Sequence, residues 1–144
     1  MKKVYCLIAN VILLAWFFLD MTGLYFENNY LVTRSWREDG IYFIIFLIAL
    51  LLFLLKENIG KHVLIIWQAI WLLTQFISHE WFSIFGGGEG KIRYFEGAIK
   101  LVNSDSRYIP DVYHTVLHAL IIIALITTIT YSIKSKKAYI DSKK

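Results

Sequence analysis

Four long apolar runs dominate the sequence and restrict what the chain can fold into. A helix needs about 20 apolar residues to cross the ~30 Å hydrocarbon core of a bilayer. A backbone inside lipid must also satisfy its own hydrogen bonds, which a helix does. We therefore predict an all-α protein, a four-helix transmembrane bundle that forms one domain over residues 1–144. The predicted spans cover about residues 4–26, 37–56, 63–85 and 112–133.

The first two runs each need a qualification. The first begins with lysines like a secretory signal peptide, but Phe18–Met21 lacks the small residues of a cleavage site, so we expect it to remain as a span. In the second, only Ile41–Leu55 is strictly apolar. These residues extend roughly 22 Å as a helix. We expect this span to recruit Trp36–Gly40 or Lys56, to tilt little, or to lie in locally thinned bilayer.

Composition and charge exclude several other classes of protein. The chain is 58% hydrophobic and 18% charged, with one proline, which excludes disordered and collagen-like chains. Cys6 is the only cysteine, so no disulfide scaffold can form within the chain. The net charge of +4 comes from residues that flank the apolar runs, and this distribution argues against nucleic-acid binding.

The lysines predict the orientation of the spans. Segments 1–3, 56–62 and 134–144 carry nine lysines, whereas 27–40 and 86–111 carry six basic residues over a longer stretch. Because cytoplasmic loops are enriched in lysine and arginine, both termini are predicted to be cytoplasmic. Since lysine also exceeds arginine, we expect a multi-pass protein of a bacterial plasma membrane.

The loop over residues 86–111 is predicted to lie on the outer side and to contain a short helix. It begins with a glycine-rich hinge, Gly86–Gly90. Ile92, Phe95, Ile99 and Val102 then recur at helical spacing opposite charged residues. This pattern predicts an interfacial amphipathic helix over residues 91–102.

Polar residues within the spans give the main indication of function. At 100° per residue, Gln68, Gln75 and His79 fall on one stripe of the third predicted helix, and His114 and His118 share a stripe of the fourth. Because these helices run in opposite directions, the three histidines are expected at the same depth, near the outer leaflet. Glu80 and Asp20 should lie at a similar height.

The three histidines suit a metal ion or a haem. Two histidines four residues apart present both imidazoles on one helix face, and His79 would supply a third ligand. The candidate metal ligands are thus His79, His114 and His118, with Glu80 and Asp20 as weaker candidates, and Gln68 and Gln75 form a ligand-facing polar stripe. The cofactor would be a transition-metal ion or haem b. The same histidines also fit a solvated structural cluster or a proton-linked role, and His62 is expected at the opposite interface.

Two classes of function follow from these observations. Because four short helices enclose little volume, the first class is a small accessory, immunity-type or partner-binding membrane component. Its partners would be the lipid bilayer and either a larger membrane complex or further copies of the chain. The alternative is a membrane protein whose outer histidine site binds a metal ion or haem for redox chemistry, sensing or hydrolysis. No catalytic residue is assigned from the sequence.

Overall fold

The structure, a computed structural model, describes residues 2–141 and is mostly helical. Lys143 and Lys144, two of the lysines used to predict orientation, lie outside the described residues. A π-helical turn covers Phe76–Glu80. The elements in chain order are α1 (Lys3–Thr22), β1 (Leu24–Tyr25), β2 (Tyr30–Val32), α2 (Trp36–Leu55), α3 (Glu57–Gln75), α4 (Trp81–Phe85), α5 (Glu89–Tyr94) and α6 (Val112–Asp141).

Three helices are long and apolar enough to cross a membrane. They are Lys3–Thr22, Trp36–Leu55 and the Val112–Lys137 part of α6. Large apolar side chains such as Ile8, Ile48 and Ile126 are exposed along them, which is expected of surfaces that face lipid. The second of these helices includes Trp36–Gly40, as predicted. These features support a multi-pass membrane protein.

The third apolar run differs from the other three. It is helical from Glu57 to Phe85, but in three segments, and its uninterrupted α-helix ends at Gln75. Lys61 and His62 lie within that α-helix and lower its hydropathy. Among residues 2–141, three helices therefore meet the requirement for a span, rather than the four predicted.

The long helices pack around an aromatic and aliphatic core. α1 contacts α2 and α6, and α3 also contacts α2 and α6. The Trp71 ring is fully buried, with its centroid 4.5 Å from that of Phe17 and 5.5 Å from that of Phe46. This packing aligns the helices so that their ends form two clusters. We call the end with His79 and His114 the histidine end and the end with Lys3 and Lys61 the lysine end.

A small hairpin adds two short strands to the mostly helical fold and corrects the first span boundary. α1 ends at Thr22 rather than near residue 26, because Gly23 adopts φ +75° and redirects the chain. β1 and β2 then pair antiparallel. The hairpin covers the histidine end of the helices.

The loop helix is shorter than predicted. α5 spans Glu89–Tyr94 and does not continue to residue 102. Gly97 has φ +82°, which ends helical geometry, and Ala98 forms a parallel bridge with Tyr30 of the hairpin. The periodic apolar residues beyond Tyr94 therefore belong to a segment that is held against β2.

Candidate functional site

The structure brings the three predicted histidines together at the histidine end. His79 comes from the π-helical turn, whereas His114 and His118 come from the first turns of α6. The ring centroids of His79 and His114 are 4.1 Å apart, and those of His79 and His118 are 5.6 Å apart. His114 and His118 are separated by 6.3 Å. Since α3 and α6 are neighbours, the two histidine stripes face each other.

Each imidazole is held through its Nδ1 atom. His114 Nδ1–H donates to the Asp111 carboxylate, at 2.9 Å from both oxygens. His118 Nδ1–H donates to the Glu80 carboxylate. His79 Nδ1 hydrogen-bonds the Tyr108 hydroxyl at 2.5 Å. In metal sites, a partner on one ring nitrogen fixes the imidazole and leaves the other nitrogen for the ligand. Here the remaining nitrogen is Nε2.

The π-helical turn explains how consecutive residues serve the same cluster. In an α-helix, neighbouring side chains point about 100° apart. His79 nevertheless contacts His114, and Glu80 contacts His118, so both face α6. Single π-helical turns widen a helix locally and occur frequently at functional sites. We did not predict this turn, because no feature of the sequence indicates it.

The segment between α5 and α6 packs over the histidine cluster. The Phe95 ring packs edge-on against His114, with centroids 5.2 Å apart. Tyr108 is buried, and this burial raises the pKa of its hydroxyl, so the hydroxyl stays neutral. Ser83 Oγ donates to the Tyr108 carbonyl at 2.9 Å and fixes the segment to α4. Tyr108 lies in an irregular segment, where periodicity gives no prediction.

A cavity of about 280 Å³ lies beside the rings and is rich in acidic residues. Its lining combines His79 and His114 with Gln75 and Lys91. It also includes four carboxyl-bearing residues, namely Asp20, Glu38, Asp39 and Asp111. Even with one proton shared between two neighbouring acids, the carboxylates outnumber the single lysine, so the cavity favours a positively charged occupant.

Asp20 and Asp39 form a carboxyl pair on one wall of this cavity. The two carboxyl groups lie against each other, and the Asp20 carboxyl also lies close to Ser35. A contact between two carboxyl groups needs a proton between them. Asp20 thus shares the cavity with His79 and His114, although the side-chain contacts of its carboxyl are with Asp39 and Ser35. Asp39 was not predicted as a site residue, because it lies at the polar start of α2.

Lys91 supplies the positive charge in the cavity. Its Nζ lies over the rings of Tyr108 and Phe82, at 5.4 and 5.6 Å from their centroids. Partial burial lowers the pKa of the Lys91 ammonium, and the nearby Asp39 acts in the opposite direction. Lys91 was predicted only as part of a charged helix face, so its place in the cavity is a finding of the structure.

The two glutamines of the predicted polar stripe have different positions. Gln75 Oε1 lies 3.1 Å from His118 Nε2, so this residue belongs to the histidine cluster. Gln68 is deeper in the bundle, and its amide donates to Asn10 Oδ1 at 2.6 Å. Asn10 in turn donates to Thr128 of α6 at 3.2 Å. Gln68 therefore links α3 to α1 and α6 rather than lining the cavity.

One buried oxygen in the cluster has no partner in the described structure. Glu80 Oε1 accepts from His118, but Glu80 Oε2 is buried without a hydrogen bond. Such an atom costs free energy unless a ligand or water satisfies it. Among residues 2–141, however, no group of three or more His, Cys, Asp or Glu side chains is arranged to hold a metal ion. Any ion shared by the three rings would thus require side-chain rotation.

Comparisons with known proteins add no assignment. No family model matches the chain, and neither the curated proteins nor the solved structures contain a significant match to it.

Proposed function

We propose that the protein crosses the membrane four times, with both termini cytoplasmic, and binds a divalent transition-metal ion at the histidine end. The third crossing would be formed by α3, the π-helical turn and α4. Its contacts with α2 and α6 support this arrangement, because both neighbours contain candidate spans. The lysines at the other end support the orientation.

Two asparagines on either side of the third segment allow a direct test of the topology. Asn58 and Asn103 are both exposed. We expect a single cysteine at Asn103 to react with an impermeant maleimide in intact cells, and one at Asn58 to react only after permeabilisation. A Cys6→Ser background removes the native thiol. Labelling of both sites in intact cells would refute the third crossing, and the reversed pattern would refute the orientation.

The metal proposal rests on the arrangement of the ring nitrogens. Tyr108, Asp111 and Glu80 occupy all three Nδ1 atoms, which leaves Nε2 of His79 and His114 for an ion once their stacked rings rotate, whereas His118 Nε2 lies against Gln75. We assign Nε2 of His79 and His114 as two ligands. The third is His118 Nε2, after the Gln75 amide rotates away, or the unpartnered oxygen of Glu80. Three protein ligands and one open position are typical of catalytic zinc sites.

The cavity favours an ion over the haem that the sequence also allowed. Pockets for drug-sized ligands measure about 300–1,000 Å³ and are mostly apolar. The cavity here is smaller, about 280 Å³, and it is lined by four acidic residues. Carboxylates complement a divalent cation, whereas they would oppose burial of a large apolar macrocycle.

Zinc binding to the purified protein tests this function. We expect one zinc ion per chain by isothermal titration in detergent, and we expect His79→Ala and His114→Ala to lose binding while remaining monodisperse. His62→Ala is the matched control, because His62 is exposed at the lysine end. Affinity should fall as pH drops, because protonated imidazole cannot ligate metal. Retention of stoichiometric binding by both variants would refute the site.

An accessory, immunity-type or partner-binding role is our second proposal, and it concerns which proteins the chain works with rather than which ion it binds. It rests on the small size of the chain, and no contact described above favours a particular partner. Metal binding and an accessory role are compatible, since an accessory subunit can carry a metal ion. The metal assay separates a chain that binds zinc from one whose histidines are only structural.

A further inference from the structure

A second cavity lies at the lysine end, separate from the histidine cluster. It measures about 540 Å³ and lies between the start of α3 and the end of α6. Most of its lining side chains can donate hydrogen bonds, namely Asn58, Lys61, His62, Ser132, Ser135 and Lys136. A cavity with this lining is suited to an anion.

Lys61 is the central group of this cavity. The residue is 7% exposed, and its Nζ donates to Ser135 Oγ at 2.9 Å. An ammonium group has three N–H donors, so a single bond to a neutral hydroxyl leaves two without a partner. A buried charge is costly unless it is paired. Among the side chains that the structure describes, no carboxylate lies within ion-pair distance of Lys61.

The same lining also contains an acid, Glu57, but its carboxylate is already engaged by other groups. Glu57 forms an ion pair with Lys3 Nζ at 2.9 Å and accepts a hydrogen bond from the Tyr131 hydroxyl. These two contacts lower the pKa of Glu57 below the usual glutamate range, so its charge is satisfied within the bundle. Lys61 also lowers the Glu57 pKa through its charge, but among the described side chains neither Lys61 nor Lys136 forms an ion pair, so both ammonium groups can face an external anion.

We infer that this cavity binds the phosphate of an anionic phospholipid headgroup. Basic pockets between transmembrane helices are known to bind such headgroups. The position supports a lipid rather than a soluble anion, because the cavity lies at the end of the candidate span in α6. Next to it in sequence, Ile59 and Ile133 are exposed and provide apolar surface for an acyl chain.

The test uses short-chain phosphatidylglycerol added to the full-length protein in a neutral detergent. We expect saturable binding by native mass spectrometry, and at least about fivefold weaker binding after loss of one lysine charge, in Lys61→Gln or Lys136→Gln. Lys136 is exposed, so this variant should fold even if Lys61→Gln does not. Lys134→Gln is the matched control, because Lys134 is an exposed lysine of α6 outside the cavity lining. It should change affinity less than twofold.

Three outcomes would overturn the inference. Equal binding of short-chain phosphatidylcholine would show that the headgroup charge is irrelevant. Equal weakening by Lys134→Gln and Lys136→Gln would indicate general surface charge rather than a site. Displacement of the lipid by inorganic phosphate at the same concentration would assign the cavity to a soluble anion. All of these readouts are independent of zinc binding.

Discussion

Removal of the Tyr108 hydroxyl tests whether the histidine cluster is organised as a metal site. The hydroxyl lies 2.5 Å from His79 Nδ1, and His79 is only 6% exposed, so water cannot readily replace it. Loss of such an outer partner typically weakens metal binding 10- to 100-fold. For Tyr108→Phe we therefore expect a loss of about 1.4–2.8 kcal/mol of zinc-binding free energy.

The assay is a zinc titration of the detergent-purified variants at constant pH, with thermal unfolding measured in parallel. Tyr25→Phe is the control, because Tyr25 lies in the hairpin at the same end of the bundle but is exposed and outside the cavity lining. It should bind zinc like the native protein. A folded Tyr108→Phe variant with native zinc affinity would refute the proposed role of the hydroxyl. Equal weakening by both substitutions would refute the specificity of this contact.

Three further predictions concern packing, charge and pH. A methyl group at Gly60 would overlap the backbone of α2, whereas one at Gly90 would meet no atom within 4 Å. Gly60→Ala should therefore lower stability in denaturant titrations by about 1–3 kcal/mol or more, and Gly90→Ala should not. Lys91→Gln should tighten zinc binding about fivefold in calorimetry, because it removes a positive charge from the cavity. The Glu57–Lys3 pair should stabilise the fold at pH values above the usual glutamate pKa. This stabilisation should be lost as the pH falls through the lowered pKa of Glu57 in the folded protein. Glu57→Gln should remove this component of acid unfolding.

The positions of the histidines could be predicted because they lie on regular helices. The spacing of His114 and His118 places both rings on one face of α6, and opposite helix directions set the depth of His79. Three of the four predicted spans are candidate membrane helices in the structure. They include the second, which reaches a sufficient length because it contains Trp36–Gly40. Hydropathy and helical periodicity were sufficient for these features.

The remaining features depend on tertiary contacts that periodicity does not encode. Tyr108 and Lys91 reach the site because the loop is held to β2 through the Tyr30–Ala98 bridge. The helix predicted over 91–102 is shortened by the same contact and by Gly97. Asp39 reaches the cavity only because α2 begins beside the end of α1. Long-range pairing of this kind requires the folded chain.

X-ray absorption at the zinc edge tests the proposed metal site most directly. The zinc-loaded native protein should show at least two imidazole nitrogens at about 2.0–2.1 Å, with multiple-scattering features from the rings. The bound-zinc signal, including its imidazole scattering, should be lost in His114→Ala, and His62→Ala should leave the spectrum unchanged. A first shell of oxygen atoms alone, or a spectrum insensitive to His114, would contradict a histidine metal site.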